Sequence, residues 1–368
     1  MRWLAAPLLL ATALLTPDPA GSRDLDAAVG KALFRRIWTV AGASNRQSDG
    51  LGPLFNARAC TSCHEGAGGG RMTDGAGMVL RFDDDPAYGR QLQTAAAPGH
   101  EPEGRLEVRW RSEPRRLADG TSVTLRRPVP QVVAPDAAVE PGRGSLRLAP
   151  GLAGLGLVEQ ALAEAGEPGG FGLKATHTSL AQPVTEALLL DLGLSTTEHP
   201  EPWGDCTEAT SGCRQGPHGS GDGEDGVELA PGIVQALLAY LRSLPPPAPA
   251  GPPDPDGLHL FASLGCAGCH QPELGGLQPY SDFRVHDLGV GLASDERDAG
   301  MGRSWRTAPL WGLGRRLMGG RPLLHDGRAR DAEEAILWHD GAARAASAGY
   351  AALPEAERAR LLAFLERL

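Results

Sequence analysis

Two pentapeptides in this chain could do chemistry at once: Cys60-Thr61-Ser62-Cys63-His64 and Cys266-Ala267-Gly268-Cys269-His270. Cys-x-x-Cys-His is the spacing at which two thiols add to porphyrin vinyl groups while the adjacent imidazole binds the iron, which is the attachment site of a c-type haem. A chain of this length and composition is expected to contain on the order of 0.003 such runs by chance, and this one contains two. A four-ligand zinc site pairs its knuckles without the trailing His, and a thioredoxin-like dithiol needs one motif and no adjacent His. The motifs therefore predict two covalent haems. Cys60, Cys63, Cys266 and Cys269 are the thioether positions, and His64 and His270 are the first iron ligands. Only Cys206 and Cys213 remain of the six cysteines. In an oxidising compartment they are expected to close a short disulfide loop, with a regulatory redox pair as the alternative.

These residues must be positioned by elements. Residues 1–20 read as an export signal: a basic start, an apolar run from Leu4 to Leu15, then small residues and prolines. The run is too short to span a bilayer, no Cys follows it to carry a lipid, and no later segment is a continuous apolar span. The expected mature protein is soluble and periplasmic, where covalent haem attachment takes place, and has no transmembrane anchor. With 50 Gly and 31 Pro, helices should be short and loops long. Leu33, Phe34, Ile37 and Trp38 form an apolar stripe that predicts a helix over 24–41. Alternation over 105–112 and 121–127, around Ala118-Asp119-Gly120, predicts a strand, a turn and a strand. The Gly-Leu repeat at 151–158 reads as a turn opening a helix. Residues 216–226 read as a solvated loop and, less readily, as a Ca2+ site. Seven prolines between Leu244 and Asp256 make a stiff linker. The expected division is an N-terminal haem domain over 21–244, a linker over 245–256 and a C-terminal cytochrome c domain over 257–368. That C-terminal domain should end in a helix from Pro354 packed on the helix before the second motif. The fold class expected is mainly α with irregular loops, as two cytochrome c-like domains, the first enlarged by a β-hairpin insertion. Net charge is −10 with no basic patch of the kind that binds nucleic acid, so a basic or neutral redox protein is the expected partner.

Longer pieces carry a resemblance. They are 52–57 (Gly-Pro-Leu-Phe-Asn-Ala), 88–92 (Tyr-Gly-Arg-Gln-Leu), 171–175 (Phe-Gly-Leu-Lys-Ala), 279–282 (Pro-Tyr-Ser-Asp) and 286–289 (His-Asp-Leu-Gly). Further on come 305–314 (Trp-Arg-Thr-Ala-Pro-Leu-Trp-Gly-Leu-Gly), 324–329 (Leu-His-Asp-Gly-Arg-Ala) and 334–339 (Glu-Ala-Ile-Leu-Trp-His). In these the chain resembles the bacterial di-haem oxidoreductases, sometimes labelled thiol oxidoreductases, and more distantly the bacterial di-haem cytochrome c peroxidases. The peroxidases place a sixth iron ligand fourteen residues after a His-Asp-Gly turn. Counted from His325 that position is His339, so the resemblance implies a bis-His second haem, with His286 as the next candidate. For the first haem no such ligand stands out; Met72, Met78, His100 and His177 are candidates. The peroxidases line an open haem face with a Gln and an acid. The cognate stretch here offers Gln182 to hold a peroxide, and Asp191, or Glu186, to pass a proton between its oxygens. The peroxidases also carry a Trp where this chain has Leu173, leaving Trp305, Trp311 and Trp338 as alternatives for an electron path.

Three functions follow. One is peroxidase-like reduction of hydrogen peroxide at the first haem, fed by a small redox protein. A second is a plain electron carrier with two six-coordinate haems. The third, thiol chemistry, fails once the cysteines are thioethers, because no thiolate remains.

Overall fold

The computed structural model describes residues 19–44, 48–71, 77–133, 144–164, 166, 170–210, 212–219, 224–252, 254–294 and 301–368. Most of the signal segment, the candidate ligand Met72 and residues 220–223 of the candidate calcium loop lie outside the described residues. In chain order the helices are α1 (Pro19–Arg35), α2 (Leu155–Glu164), α3 (Ala181–Leu192), α4 (Pro231–Ser243), α5 (Pro255–Ser263), α6 (Leu313–Met318), α7 (Ala332–Trp338), α8 (Arg344–Ala352) and α9 (Glu355–Leu365). The strands are β1 (Leu54–Phe55), β2 (Met78–Asp85), β3 (Gly89–Gln91), β4 (Ala95–Ala96), β5 (Arg105–Arg116), β6 (Ser122–Val133), β7 (Ser145–Leu148), β8 (Val285–Asp287) and β9 (Ser304–Arg306). No helix among the described residues is long and apolar enough to cross a membrane.

The expectation of a mainly α chain is overturned: the structure is 36% helical and 19% strand, in several sheets. Beyond the anticipated hairpin, β3, β2 and β7 form a three-stranded antiparallel sheet, and β8 pairs with β9. These strands are short or carry buried polar groups such as Asp85 and Gln91, so their alternation is weak in the sequence. The hairpin itself is longer than the alternation suggested. Its pairing runs from Arg105 opposite Val133 to Arg116 opposite Ser122, through Pro114, Pro128 and Pro130. A two-stranded ribbon tolerates prolines on its open edges.

α1 also differs from its expected span, ending at Arg35 rather than 41. The backbone N–H of Trp38 donates to Arg58 O at 2.7 Å, and Arg58 Nε donates back to Trp38 O at 3.0 Å. The chain is thus diverted to pair with the approach to the first motif.

Packing follows helix periodicity. Val234, Leu237, Leu238 and Leu241 line one face of α4 and join Leu33, Phe34 and Trp38 with Val158 and Leu188 in one apolar cluster. Gly30 permits the close approach of α1 to α4, since a Cβ there would collide with the Ala236 carbonyl. A second cluster is built from α5, α7 and α9, where Phe261 and Phe364 pack with ring centroids 5.6 Å apart. It also takes in Leu117 and Leu125 from the far end of the ribbon, whereas Leu106, Val108 and Val132 at its near end pack on Leu80, Phe82 and Tyr88 of the three-stranded sheet. The proline-rich segment lies against the second cluster: Ala250 N–H donates to Arg367 O, and Pro247 meets Gly312.

Candidate functional site

Each pentapeptide folds as one tight 3₁₀ turn. In the first, His64 N–H donates to Cys60 O at 2.9 Å; in the second, His270 N–H donates to Cys266 O at 2.9 Å. The turn brings both cysteines and the histidine to one side of the backbone. The second turn follows α5, which begins at the side-chain cap of Asp254 and ends at Ser263, and Gly265, with φ 85°, opens the turn. A positive φ there suits Gly, which pays no Cβ penalty. None of the four motif cysteines is in a disulfide, and each is half-buried. Burial pushes Cys60 up to about 12 and Cys63 and Cys266 up to about 11. None of these three is a thiolate at neutral pH, which argues against nucleophilic thiol chemistry.

At the second site His270 Nδ1 meets the Tyr280 carbonyl at 2.9 Å, and His339 Nδ1 meets the Ala335 carbonyl at 2.6 Å. In both rings the carbonyl fixes the proton on Nδ1 and leaves the Nε2 lone pair available, the orientation of metal-ligating histidines. The ring centroids are 6.5 Å apart at 55°. Two imidazoles on opposite faces of one iron, each nitrogen about 2.0 Å from it, have centres roughly 6 Å apart. The residues present thus fit a bis-His haem. Burial, helped by His339, lowers His270 to about 4, and burial lowers His339, so both are neutral as a ligand must be. His339 is held at the C-cap of α7, whose N-terminus is capped by Asp331 accepting from Glu334 N–H. His286 is not across from His270; its Nε2 meets Asp282 Oδ2 at 2.8 Å.

At the first site His64 Nδ1 meets the carbonyls of Pro150 at 3.0 Å and Gly68 at 3.3 Å. Among the described residues no imidazole stands across from His64 as His339 stands across from His270. Met78 packs into the sheet core, His100 lies against Gly216, and His177 pairs with Glu186 at 3.3 Å.

Asp191 lies beside this motif. Its backbone carbonyl accepts from Asn56 and Ala57 N–H, and its charge acts on Cys60 and Cys63. Gln182 is not with it. Exposed at the start of α3, it accepts from Thr178 N–H at 2.7 Å, and nine residues on a helix place Asp191 half a circumference away. The amide that meets Asp191 is Gln91, whose Nε2 donates to Oδ1 at 2.8 Å and to Leu190 O at 3.1 Å. Burial raises Asp191 above the usual carboxylate range. Glu186 goes the other way. Burial, which would raise it, is outweighed by His177 and by Arg81 at 2.8 Å, which hold it at about 2. Carboxyls pushed apart in this way divide acid and base roles at one pH.

The segment 321–328 connects the two sites. Arg321 donates to the Glu65 and Gly69 carbonyls beside His64, and Leu148 N–H donates to His325 O. The His325 ring stacks on Trp305 at 3.6 Å and 11°, and the Lys174 ammonium lies 3.3 Å from the Trp305 centroid. Arg328, paired with Asp326, lies over Trp338, the residue before His339.

Residues 158–368 match the family described as "Di-haem oxidoreductase, putative peroxidase". No curated protein matches the chain. A hydrazine synthase structure from Kuenenia stuttgartiensis, determined under xenon pressure, is similar over 99% of this chain and 100% of that one. It has 14% identity and a TM-score of 0.43, too low to carry an argument. With more than half its length matched, the chain belongs to the di-haem oxidoreductase family and has a haem-based redox function.

Proposed function

We propose that the protein is an exported c-type di-haem oxidoreductase that takes electrons at its C-terminal haem and reduces hydrogen peroxide at its N-terminal one. The carrying observation is the asymmetry of the sites. The His270 and His339 ring centroids lie 6.5 Å apart, whereas beside Cys60 and Cys63 lies a buried acid–amide pair, Asp191 and Gln91. In this reading residues 21–244 hold the first haem, 245–256 are the linker and 257–368 hold the second. The thioethers are formed by Cys60 and Cys63 and by Cys266 and Cys269.

When bound, the haems supply one-electron chemistry at iron, and two electrons with two protons take one peroxide to two waters. The chain's own residues position and protonate. Asp191, whose carboxyl burial shifts toward the protonated form, is the proton source. Gln91 fixes the orientation of its carboxyl through the 2.8 Å hydrogen bond. Glu186, held ionised by His177 and Arg81, has no proton to give, and Asp191 is reprotonated from solvent. Trp305 and His325 form the aromatic contact between the sites and carry the electron path, in place of the indole absent at Leu173.

Electron paramagnetic resonance of the oxidised protein, with and without cyanide, tests the reading. The expected result is one low-spin haem indifferent to cyanide and one haem that cyanide changes. Two low-spin haems, both inert to cyanide, would make the protein an electron carrier.

A further inference from the structure

The net charge of −10 is unevenly distributed. The ribbon over 105–133 carries seven arginines against three carboxylates. Along β5 nearly every residue from Arg109 to Arg116 is exposed. Arg105 is paired with Glu107, but among the described residues Arg109, Arg111 and Arg116 have no hydrogen-bonded or ion-pair partner. The row is close to the second haem site. Arg111 stands directly opposite Arg127 on β6, and the Arg127 guanidinium lies 5.1 Å from the Trp338 ring, one residue before His339. Further along, the Arg115 charge reaches Asp340, the residue after His339.

We infer that the exposed arginine edge of β5 is the docking surface for an acidic electron-donor protein that delivers electrons to the C-terminal haem. The inference rests on the assignment of His339 to that haem. Charge complementarity selects the partner's sign. Beyond a Debye length of about 10 Å the protein's overall negative charge is screened, and the local cationic row governs encounter and orientation. The donor passes one electron to the second haem and is itself oxidised by one electron.

The test uses the intact holoprotein and flavodoxin hydroquinone as the acidic donor, followed by stopped flow at low ionic strength. The triple variant Arg109→Glu, Arg111→Glu, Arg115→Glu should be reduced at least about tenfold more slowly than wild type. The wild-type rate should fall with added salt, and reduction by photoreduced lumiflavin, which needs no docking surface, should be unchanged. The matching Arg→Gln triple variant should fall between the two. Equal rates for wild type and the Glu variant, no salt dependence, or no reduction by flavodoxin would each overturn the proposal. The row would then only guard an open strand edge against pairing. If both triple variants lose the low-spin haem spectrum, the arginines are structural and the proposal is likewise overturned. A holoprotein that shows no low-spin haem at all would instead refute the underlying haem assignment.

Discussion

In the proposed reading, two imidazoles and a handful of carboxyls set the chemistry, and each makes a different prediction. His339 owes its position to α7 and its tautomer to the Ala335 carbonyl. His339→Ala should convert one low-spin haem to high-spin or water-ligated and leave the other unchanged in the electron paramagnetic resonance spectrum. Asp191→Asn should keep both haems bound but slow peroxide turnover by about 10²-fold, a typical contribution of a positioned acid. Glu103 is a further buried carboxyl, with one oxygen unpartnered. Burial pushes it up to about 8. Its folded value lies above its unfolded one, so the fold is most stable below the usual carboxylate range and loses stability as pH rises towards 8. Glu103→Gln should remove that loss, giving a higher melting temperature than wild type at pH 8 and little difference at pH 5, as read by thermal scans. Legibility at this scale was uneven. The fourteen-residue offset that the resemblance supplies leads from His325 to His339, whose ring lies 6.5 Å from that of His270. Gln91 could not be assigned, because the β3 strand brings it to Asp191 across 100 residues of sequence. The resemblance to the peroxidases points instead to Gln182, on the same helix as Asp191, yet that helix turns the two side chains apart.

The elements that hold these residues were legible where periodicity was strong. α4 carries a full apolar stripe, the second half of α9 carries Leu361, Phe364 and Leu365 on its buried face, and α2 begins where the Gly-Leu repeat implied a turn. The small sheets were not legible, because β1, β3, β4, β8 and β9 are only two or three residues long and depend on partners distant in the chain. The ribbon is the most consequential element. It crosses from the sheet core to the second apolar cluster and reverses its buried face on the way, inserting Leu106 and Val132 at one end and Leu125 at the other. Leu125→Ala should therefore cost about 2–4 kcal/mol. The loss should appear as a single shifted unfolding transition in circular dichroism and in the haem absorbance together. If the haem signal melts apart from the backbone signal, the ribbon does not tie the two regions.

At the scale of the whole molecule, the two motifs, 206 residues apart at each of their like positions, could not themselves say how the two sites relate. The segment 321–328 supplies the relation, with Arg321 on the first motif and Arg328 stacked beside the second site. Trp305→Leu, which removes the ring stacked on His325, should slow electron passage from the second haem to the first while leaving each haem's own spectrum intact. Flash reduction of the second haem, timed against the first, measures it. The ribbon also has a consequence for the order of assembly. Leu117 and Leu125 complete the cluster around α5, α7 and α9, and Ala118 N–H donates to Ala351 O, yet they emerge from the ribosome more than a hundred residues before those helices. A hairpin of adjacent strands closes locally, within about 1–10 μs, whereas its partners come last. The early half of the chain thus carries a ready-made template against which the late half packs.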